Sequence, residues 1–536
     1  MVKMNGDNRI TLRKINRACV KFFQAIVEFV VRCMFKLLYG NNGPKMPPIK
    51  NLILLESASS IAFKIRTKRV TSVYVVKSFI ERIEEINPLL NCVVANRFNE
   101  ALKEAEAVDE LIKSNTLSEE DLAANKPFLG VPFTTKDCIA VKGMIHTAGL
   151  YKRKDVIAEE DAHVIAALKN AGAILIGLTN ISELCMWWES ANTLHGRTNN
   201  PYDINRIVGG SSGGEGCIQA AAGSAFGIGS DIGGSVRMPA FFNGTFGHKA
   251  SPNIIPLSGQ YPSPATEKQK YMLSIGPIVR HAEDLLPLFK LIVLKDVMPL
   301  LRLDEKVDIK GIRFHYQEND SGSKLVSPVH KDIRELFRKI SGYLEKAHNI
   351  KAQRVNLQRF RMSTAMWMLG MKSPNGPTFD QQLSNLEGSI NVWWELFKWC
   401  FRCSNHTFIG LATALLEKKE ASENDSKSEY IQKETNILRR EIIDLLGDDG
   451  VLLYPTHPTP APYHNEPIFK AFNFSYTGVI NVLGFPATNI PMGLSSEGVP
   501  IGIQVIANDK NDRLCLAVAK EFEKAFGGWI TPEIQA

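Results

Sequence analysis

The sequence lacks most of the patterns that would sort a chain of 536 residues at a glance. Its nine cysteines are odd in number and scattered, which excludes a disulfide framework and points to a reduced compartment. Cys400 and Cys403 form a lone C-x-x-C, with no second pair and no histidine cluster at zinc spacing. The glycine-rich loop at 208–216 lacks the Lys-Ser/Thr pair of a phosphate-binding P-loop, and G-x-G-x-x-G is missed by one residue at Gly227, Gly229 and Gly233. Internal repeats are absent. The main body also lacks an excess of positive charge. Residues 1–50 hold ten Lys/Arg against two acids, a charge of +8, so the overall +7 leaves the rest at −1, which argues against a nucleic-acid-binding body.

With 44% hydrophobic and 22% charged residues, what remains is an ordinary folded chain of enzyme size. Its basic arm is the unusual part. From Ala18 to Tyr39 it reads ACVKFFQAIVEFVVRCMFKLLY, and at helical spacing Arg17, Lys21, Gln24, Glu28, Arg32 and Lys36 fall in one sector of an otherwise apolar cylinder. Such a helix is about 33 Å long, enough for a bilayer core. Glu28 and Arg32 near its centre cost about 5–7 kcal/mol, which cancels roughly 5 kcal/mol from the aliphatic and Phe residues. The cheaper arrangement for an isolated helix is to lie in a membrane interface, polar stripe in water. A secretory signal has no convincing cleavage site here, and a mitochondrial presequence would be richer in Ser and less apolar. Packing on the protein's own body is the remaining reading. GNNGPKMPP then reads as a linker to a body over residues 51–536.

Along that body strands alternate with helices. One helix opens at Thr71 and is expected to stop at Asn87-Pro88, followed by a short strand; EALKEAEAVDELIK is an amphipathic helix. GVPFTTKD reads as a strand running out at Lys136, HVIAALKNAGAILIGLTN as helix, turn and strand, and GVLLYPT and PIGIQVIA as late strands. This pattern predicts an α/β fold with a large sheet covered by helices on both faces. The N-x-S/T sequons at Asn180, Asn243 and Asn473 fall in expected core segments and carry no glycosylation signal.

The stretch VGGSSGGEG at 208–216 leads into apolar CIQAAAGSAFGIG, so it is a buried loop and no linker. It meets the nucleophile-elbow pattern G-x-S-x-G twice, with His457 and His464 available downstream, although no long strand leads into it. A second serine-glycine cluster, GIGSDIGGSVRMPAFFNG, follows. Together with TTKD, GRTNNPYDINRIVGGSSGGEG, NVLGFPATNIPMGL and GVPIGIQVIA, these loops resemble the amidase signature family of serine hydrolases over roughly residues 52–525. The signature core lies at about 130–250 and the divergent middle at about 290–440. Length and motif spacing resemble the fatty-acid amide hydrolases within it.

The resemblance implies a large twisted mixed sheet and a Ser-Ser-Lys triad: Ser235 as nucleophile, Ser211 as bridging serine and Lys136 as base. It implies an oxyanion hole from the N–H groups of Ile232, Gly233, Gly234 and Ser235. Ser212 and Ser230 are expected as hydrogen-bonding support, and Asp231 and Arg237 as holders of loop geometry. The chemistry suits amide cleavage, which needs an activated hydroxyl and a proton for a poor leaving amine. It calls for no metal and no cofactor, and His146, His248 and His457 have no part in it. Leu178 stands where many relatives have lysine, Val208 where proline is frequent and His146 where threonine is common; none touches the triad.

The substrate is read from SINVWWELFKWCFRC, where Trp393, Trp394, Phe397 and Phe401 share a helix face beside Lys398 and Arg402. Buried, that stripe is core; exposed, it resembles the lipid-entry cap of fatty-acid amide hydrolases. The expectation is a membrane-associated, intracellular amidase of lipophilic amides, contacting the bilayer through residues 17–39 and this aromatic stripe, with spanning or interfacial attachment open. A homodimer is compatible with the resemblance. The other readings are a soluble small-amide amidase, the amidase subunit of a glutamine-dependent tRNA amidotransferase, and a non-catalytic scaffold. Because the lysine must accept protons as a free amine, turnover is expected to rise toward alkaline pH; a flat or acid-optimal pH–rate profile would overturn the triad.

Overall fold

The computed structural model describes residues 26–40, 43–420 and 425–532. Thirteen strands run through it: β1 Val93–Asn96, β2 Pro132–Lys136, β3 Ile174–Thr179, β4 Ala191–Asn192, β5 Gly196–Arg197, β6 Phe226–Asp231, β7 Phe246–Lys249, β8 Ser274–Val279, β9 Arg313–Tyr316, β10 Gln353–Arg354, β11 Gly450–Tyr454, β12 Ala487–Leu494 and β13 Pro500–Ala507. Eleven form one sheet in the order β1-β3-β2-β6-β8-β7-β12-β13-β11-β9-β10, and β4 with β5 makes a small ribbon. The sheet is mixed: β2 lies parallel between β3 and β6, while β8, β7, β12 and β13 continue antiparallel.

Every residue of β2, β3, β6, β8, β11 and β13 is buried. Burial on both faces is why β3, β11 and β13 read as largely apolar runs with no alternation. The helix His163–Asn170 makes the crossover from β2 to β3, and Gly213–Ala220 lies on the way from β3 to β6. Both are short, apolar and buried along one face or entirely.

The helix expected from Thr71 does begin there, with the Thr71 hydroxyl accepting from the Tyr74 N–H. It runs past Pro88 to Leu90, however, and ends on Asn91 in the left-handed region. Proline costs little at this place. The carbonyl it orphans belongs to exposed Glu84, and buried Leu90 holds the last turn against the core. The sequons are core, as expected: Asn180, Asn243 and Asn473 are buried.

The basic arm gives the largest departure. Residues 26–39 are helical, while Arg17, Lys21 and Gln24 lie outside the described residues. The helix lies on the protein with its polar stripe inward. Glu28 meets Lys470 at 3.1 Å, Arg32 pairs with Glu497, and Val31 and Phe35 are buried with Tyr463. Ile26, Val27, Phe29, Val30, Met34, Leu37 and Leu38 face outward. Glu28 and Arg32, expected in water, find an ammonium and a carboxylate partner respectively on the body, which offsets their loss of water. Lys36 alone of the described stripe is exposed.

Beneath the sheet, Glu215 of the helix Gly213–Ala220 is wholly buried, accepting from Thr134 at 2.9 Å and Thr179 at 2.8 Å. Its carboxyl occupies the space a side chain at position 227 would need, which explains Gly227. Burial pushes this carboxyl up to about 8, against the two threonine bonds. Because the folded value is raised, the stability it contributes is full below the ordinary carboxylate value and is lost as pH rises through about 8. At about 1.4 kcal/mol per tenfold change in ionisation, the loss amounts to several kcal/mol. Melting curves of wild type and Glu215→Gln should therefore diverge between pH 5 and pH 9, wild type losing more; parallel curves would contradict this origin of the shift.

Candidate active site

Lys136 ends β2, the third strand from one edge of the sheet, where β6 beside it is about to end at Asp231. Its side chain is fully buried, and Nζ donates to Ser211 Oγ at 2.7 Å, to Ser230 Oγ at 3.0 Å and to the Ser230 carbonyl at 3.5 Å. All three are uncharged oxygens. Ser211 comes from the glycine loop, whose Gly210–Ser211 peptide bond is cis. Ser190 locks that loop: its hydroxyl donates to the carbonyls of Gly209 and Ser211 and accepts from the Gly213 N–H.

The loop carrying Ser235 follows β6, and the Ser212 N–H donates to the Ser235 carbonyl at 3.3 Å, so the two serine loops touch. Ser212 Oγ donates to the Ser230 carbonyl at 3.3 Å, which makes it a strap between loop and strand. Ser230 faces Lys136 directly, while Asp231 and Arg237 form a wholly buried pair at 3.0 Å. Arg237 also donates to Gln504, Asn481 and the Thr477 carbonyl. Asp231 accepts from the N–H groups of Gly234 and Val236. Burial works to raise its carboxyl, but the Arg237 charge and bonds from Arg237 and Asn481 hold it well below the usual carboxylate range.

The peptide planes between the two ends of this loop are clamped by their carbonyls. Asn481 Nδ2 donates to the Asp231 carbonyl at 3.0 Å and Trp367 Nε1 to the Ile232 carbonyl at 3.0 Å. A trans peptide is planar, so each clamp aims the following N–H, of Ile232 and of Gly233, the opposite way. The N–H groups of Ile232, Gly233 and Ser235 meet no acceptor among the described residues, whereas that of Gly234 is directed to Asp231 Oδ1 at 2.7 Å. The cradle read from the sequence therefore has three open donors in this geometry. Gly234 has φ of +125°, and a Cβ there would strike the Thr477 hydroxyl, so only glycine fits.

The elbow reading does not fit these contacts. His457 is buried among Trp188, Phe241 and Phe242 and bonded to Thr459, and burial pushes its imidazole down to about 3. His464 is bonded to Glu189 and to the Ile204 carbonyl. His146 and His248 are likewise engaged elsewhere, with the Cys138 carbonyl and with Thr488 and Asp512. Among the described residues no group of three metal-ligating side chains could hold an ion, and Cys400 and Cys403 are free and exposed.

The family model for Amidase matches residues 74–516. The chain belongs to the amidase signature family. It is 46% identical to fatty-acid amide hydrolase 2 of Homo sapiens over 521 residues, covering 95% of this chain and 97% of that one. Fatty-acid amide hydrolase 2-A of Danio rerio is also 46% identical, over 98% of this chain and 99% of its own. A solved structure titled "Fatty acid amide hydrolase" superposes with a TM-score of 0.71 at 21% identity, covering 96% of this chain and 95% of that one. The amidase fold, with its eleven-stranded mixed sheet, is thus the one expected, and the protein is an amide-cleaving hydrolase.

Sequence reasoning missed Asn481, Thr477, Gln504 and Trp367, which arrive from 130 to more than 260 residues downstream and carry no local signature. It also missed Ser190. Replacing Arg237 by Met leaves Asp231 buried and unpaired, which should cost about 3–5 kcal/mol in denaturant unfolding. Displacement of the loop should lower turnover on the order of 10²-fold. Adding Asp231→Asn should recover part of the stability; a double variant no more stable than Arg237→Met would show that the pair is not the cause.

Proposed function

We propose that this protein is a membrane-associated serine hydrolase that cleaves fatty-acid amides through Ser235, Ser211 and Lys136. The observation that carries the reading is the buried Lys136 bonded at 2.7 Å to Ser211, whose loop is tied to that of Ser235. Lys136, with its proton given up, takes one from Ser211, and Ser211 takes one from Ser235 as Ser235 Oγ attacks the amide carbonyl. The oxyanion that develops is met by the N–H groups of Ile232, Gly233 and Ser235, and losing one such donor costs about 10²–10³-fold. The proton path then reverses, delivering a proton to the leaving nitrogen as the C–N bond breaks. Water, deprotonated along the same relay, hydrolyses the Ser235 ester.

The choice of a lipophilic acyl amide is supported by two apolar surfaces and by the names of the 46% identical relatives. Trp393 and Trp394 of the helix Val392–Cys400 are 72% and 56% exposed, Phe397 54%, and Phe401, just past the helix end, 66%. Trp394 stacks on Phe397, and Phe401 packs against Phe397 in turn. The outward face of the 26–39 helix is the second surface. Together they favour interfacial attachment, and no described helix is long and apolar enough to cross a membrane. The same surfaces count against a soluble small-amide amidase and an amidotransferase subunit; the intact set of Lys136, Ser211 and Ser235 counts against a scaffold.

Intact mass after treatment with an alkyl fluorophosphonate should show one adduct, lost in Ser235→Ala. Oleamide should be turned over faster than a short-chain amide, and replacing Trp393, Trp394 and Phe397 together by Ala should weaken flotation with lipid vesicles by at least about tenfold. An adduct that persists in Ser235→Ala moves the nucleophile; labelling without chain-length preference keeps the mechanism and discards the lipid substrate.

A further inference from the structure

A free cysteine packs as a small apolar side chain and is among the residues most often buried. Cys92, Cys138, Cys217 and Cys515 follow that rule, and Cys185 is half-buried. Among the described residues the exposed thiols are Cys33, Cys400 and Cys403, and all three belong to the two apolar surfaces already described, the outward face of the 26–39 helix and the aromatic stripe.

Helical spacing fixes where two of them lie. Cys33 comes four residues after Phe29, three after Val30 and four before Leu37, so it stands in the middle of the outward stripe of its helix. Cys400 comes seven residues after Trp393 and three after Phe397, on the side of the helix Val392–Cys400 that carries both exposed rings. Cys403 is different. The chain turns at Arg402, whose φ is 58°, and the Cys403 S–H points back to donate to the Phe401 carbonyl at 3.3 Å.

The surroundings of Cys33 and Cys400 suit a lipid. Trp393 and Trp394 are residues that settle at the headgroup level of a bilayer, with the apolar ring inward and the N–H outward. Lys398 and exposed Arg402 flank Cys400, and exposed Lys36 lies one turn beyond Cys33, which places cations where an anionic membrane surface attracts them. Other uses of the pair have no support. Cys400 and Cys403 are not joined in a disulfide, and no third metal-ligating side chain meets them among the described residues.

We propose that Cys33 and Cys400 are S-acylation sites, each carrying a long-chain fatty acyl group in thioester linkage that enters the bilayer beside the exposed apolar side chains. The acyl donor is the thioester of a long-chain fatty acid with coenzyme A. The cysteine sulfur, its proton given up, attacks the carbonyl carbon of the donor. A new C–S bond forms, the C–S bond to coenzyme A breaks, and coenzyme A leaves as a thiol carrying a proton; nothing is oxidised. Each buried methylene raises partition into lipid about fourfold, yet a single chain holds a protein only reversibly and stable attachment takes two signals. Acyl chains on two different helices supply both. The inference rests on the reading of these two faces as membrane-facing, and it is independent of the roles given to Ser235, Ser211 and Lys136.

The full chain made in eukaryotic cells should yield peptides holding Cys33 and Cys400 that are each heavier by about 238 Da, the mass a sixteen-carbon acyl chain adds, with Cys403 unmodified. Neutral hydroxylamine, which cleaves thioesters and spares amides and ordinary esters, should remove both additions. Washing the membranes with alkaline carbonate should release the double variant Cys33→Ser, Cys400→Ser at least about tenfold more than wild type, with its turnover in detergent unchanged. Absence of the addition at either residue, an addition that hydroxylamine leaves in place, or equal release of the two proteins overturns the proposal. The unacylated chain made in bacteria and floated with phosphatidylcholine–phosphatidylserine vesicles separates this failure from failure of the membrane reading. Flotation without additions in the eukaryotic protein overturns the acyl sites alone; additions without flotation uphold the acyl sites and overturn attachment through the side chains themselves.

Discussion

Everything at the centre of this protein hangs on one buried ion pair. Asp231 and Arg237 sit six residues apart on the loop that carries Ser235, and neither sees solvent. Two such charges are expensive to bury, and the arrangement survives because every guanidinium nitrogen of Arg237 and both carboxylate oxygens of Asp231 have hydrogen-bond partners. Asp231 takes the N–H groups that fold the loop over itself, and Arg237 reaches Gln504 on β13 and Asn481 and Thr477 on the helix Ser475–Leu483. The pair thereby couples the loop after β6 to the far half of the sheet. Asn481 serves both partners, and by holding the Asp231 carbonyl it also turns the Ile232 N–H the opposite way. Loop shape, donor direction and the position of Ser235 are consequences of the same bonds.

The surface obeys a different constraint. An amphipathic helix on a soluble body turns its apolar stripe inward, and the 26–39 helix does the reverse through Glu28 to Lys470 and Arg32 to Glu497. Arg206 shares Glu497 from the other side, so the carboxylate that holds the helix is itself held by the body. The result is a helix strapped down by charge with seven large apolar side chains displayed. The aromatic helix Val392–Cys400 displays its own set. The loop after it supplies His406 and Thr407 to Glu183, so the exposed aromatic helix and the turn after β3 share one buried carboxylate.

Much of this was legible in the chain. The central strands read as apolar runs because they are buried on both faces, and Lys136 at the end of GVPFTTKD read as a strand terminus because polarity begins where the sheet stops. The glycine loops read as a buried floor because apolar residues follow directly. The end of the helix at Pro88 was misread, since proline in a last turn loses only a bond to a solvent-facing carbonyl, and sequence does not say which carbonyls face solvent. The polar stripe of the arm was visible, but which side of it meets the body was not.

By itself the sequence determined the strand and helix alternation, the two serine loops and the lysine, all of which are local patterns whose periods and breakers act within a few residues. Only the tertiary structure decided that Asn481, Thr477, Trp367 and Gln504 hold the Ser235 loop, that the Gly234 N–H turns to Asp231, and that charge straps the 26–39 helix down. Each is a contact between segments far apart in the chain. Such contacts depend on how β-strands align and which helix faces meet, and no spacing along the chain encodes that.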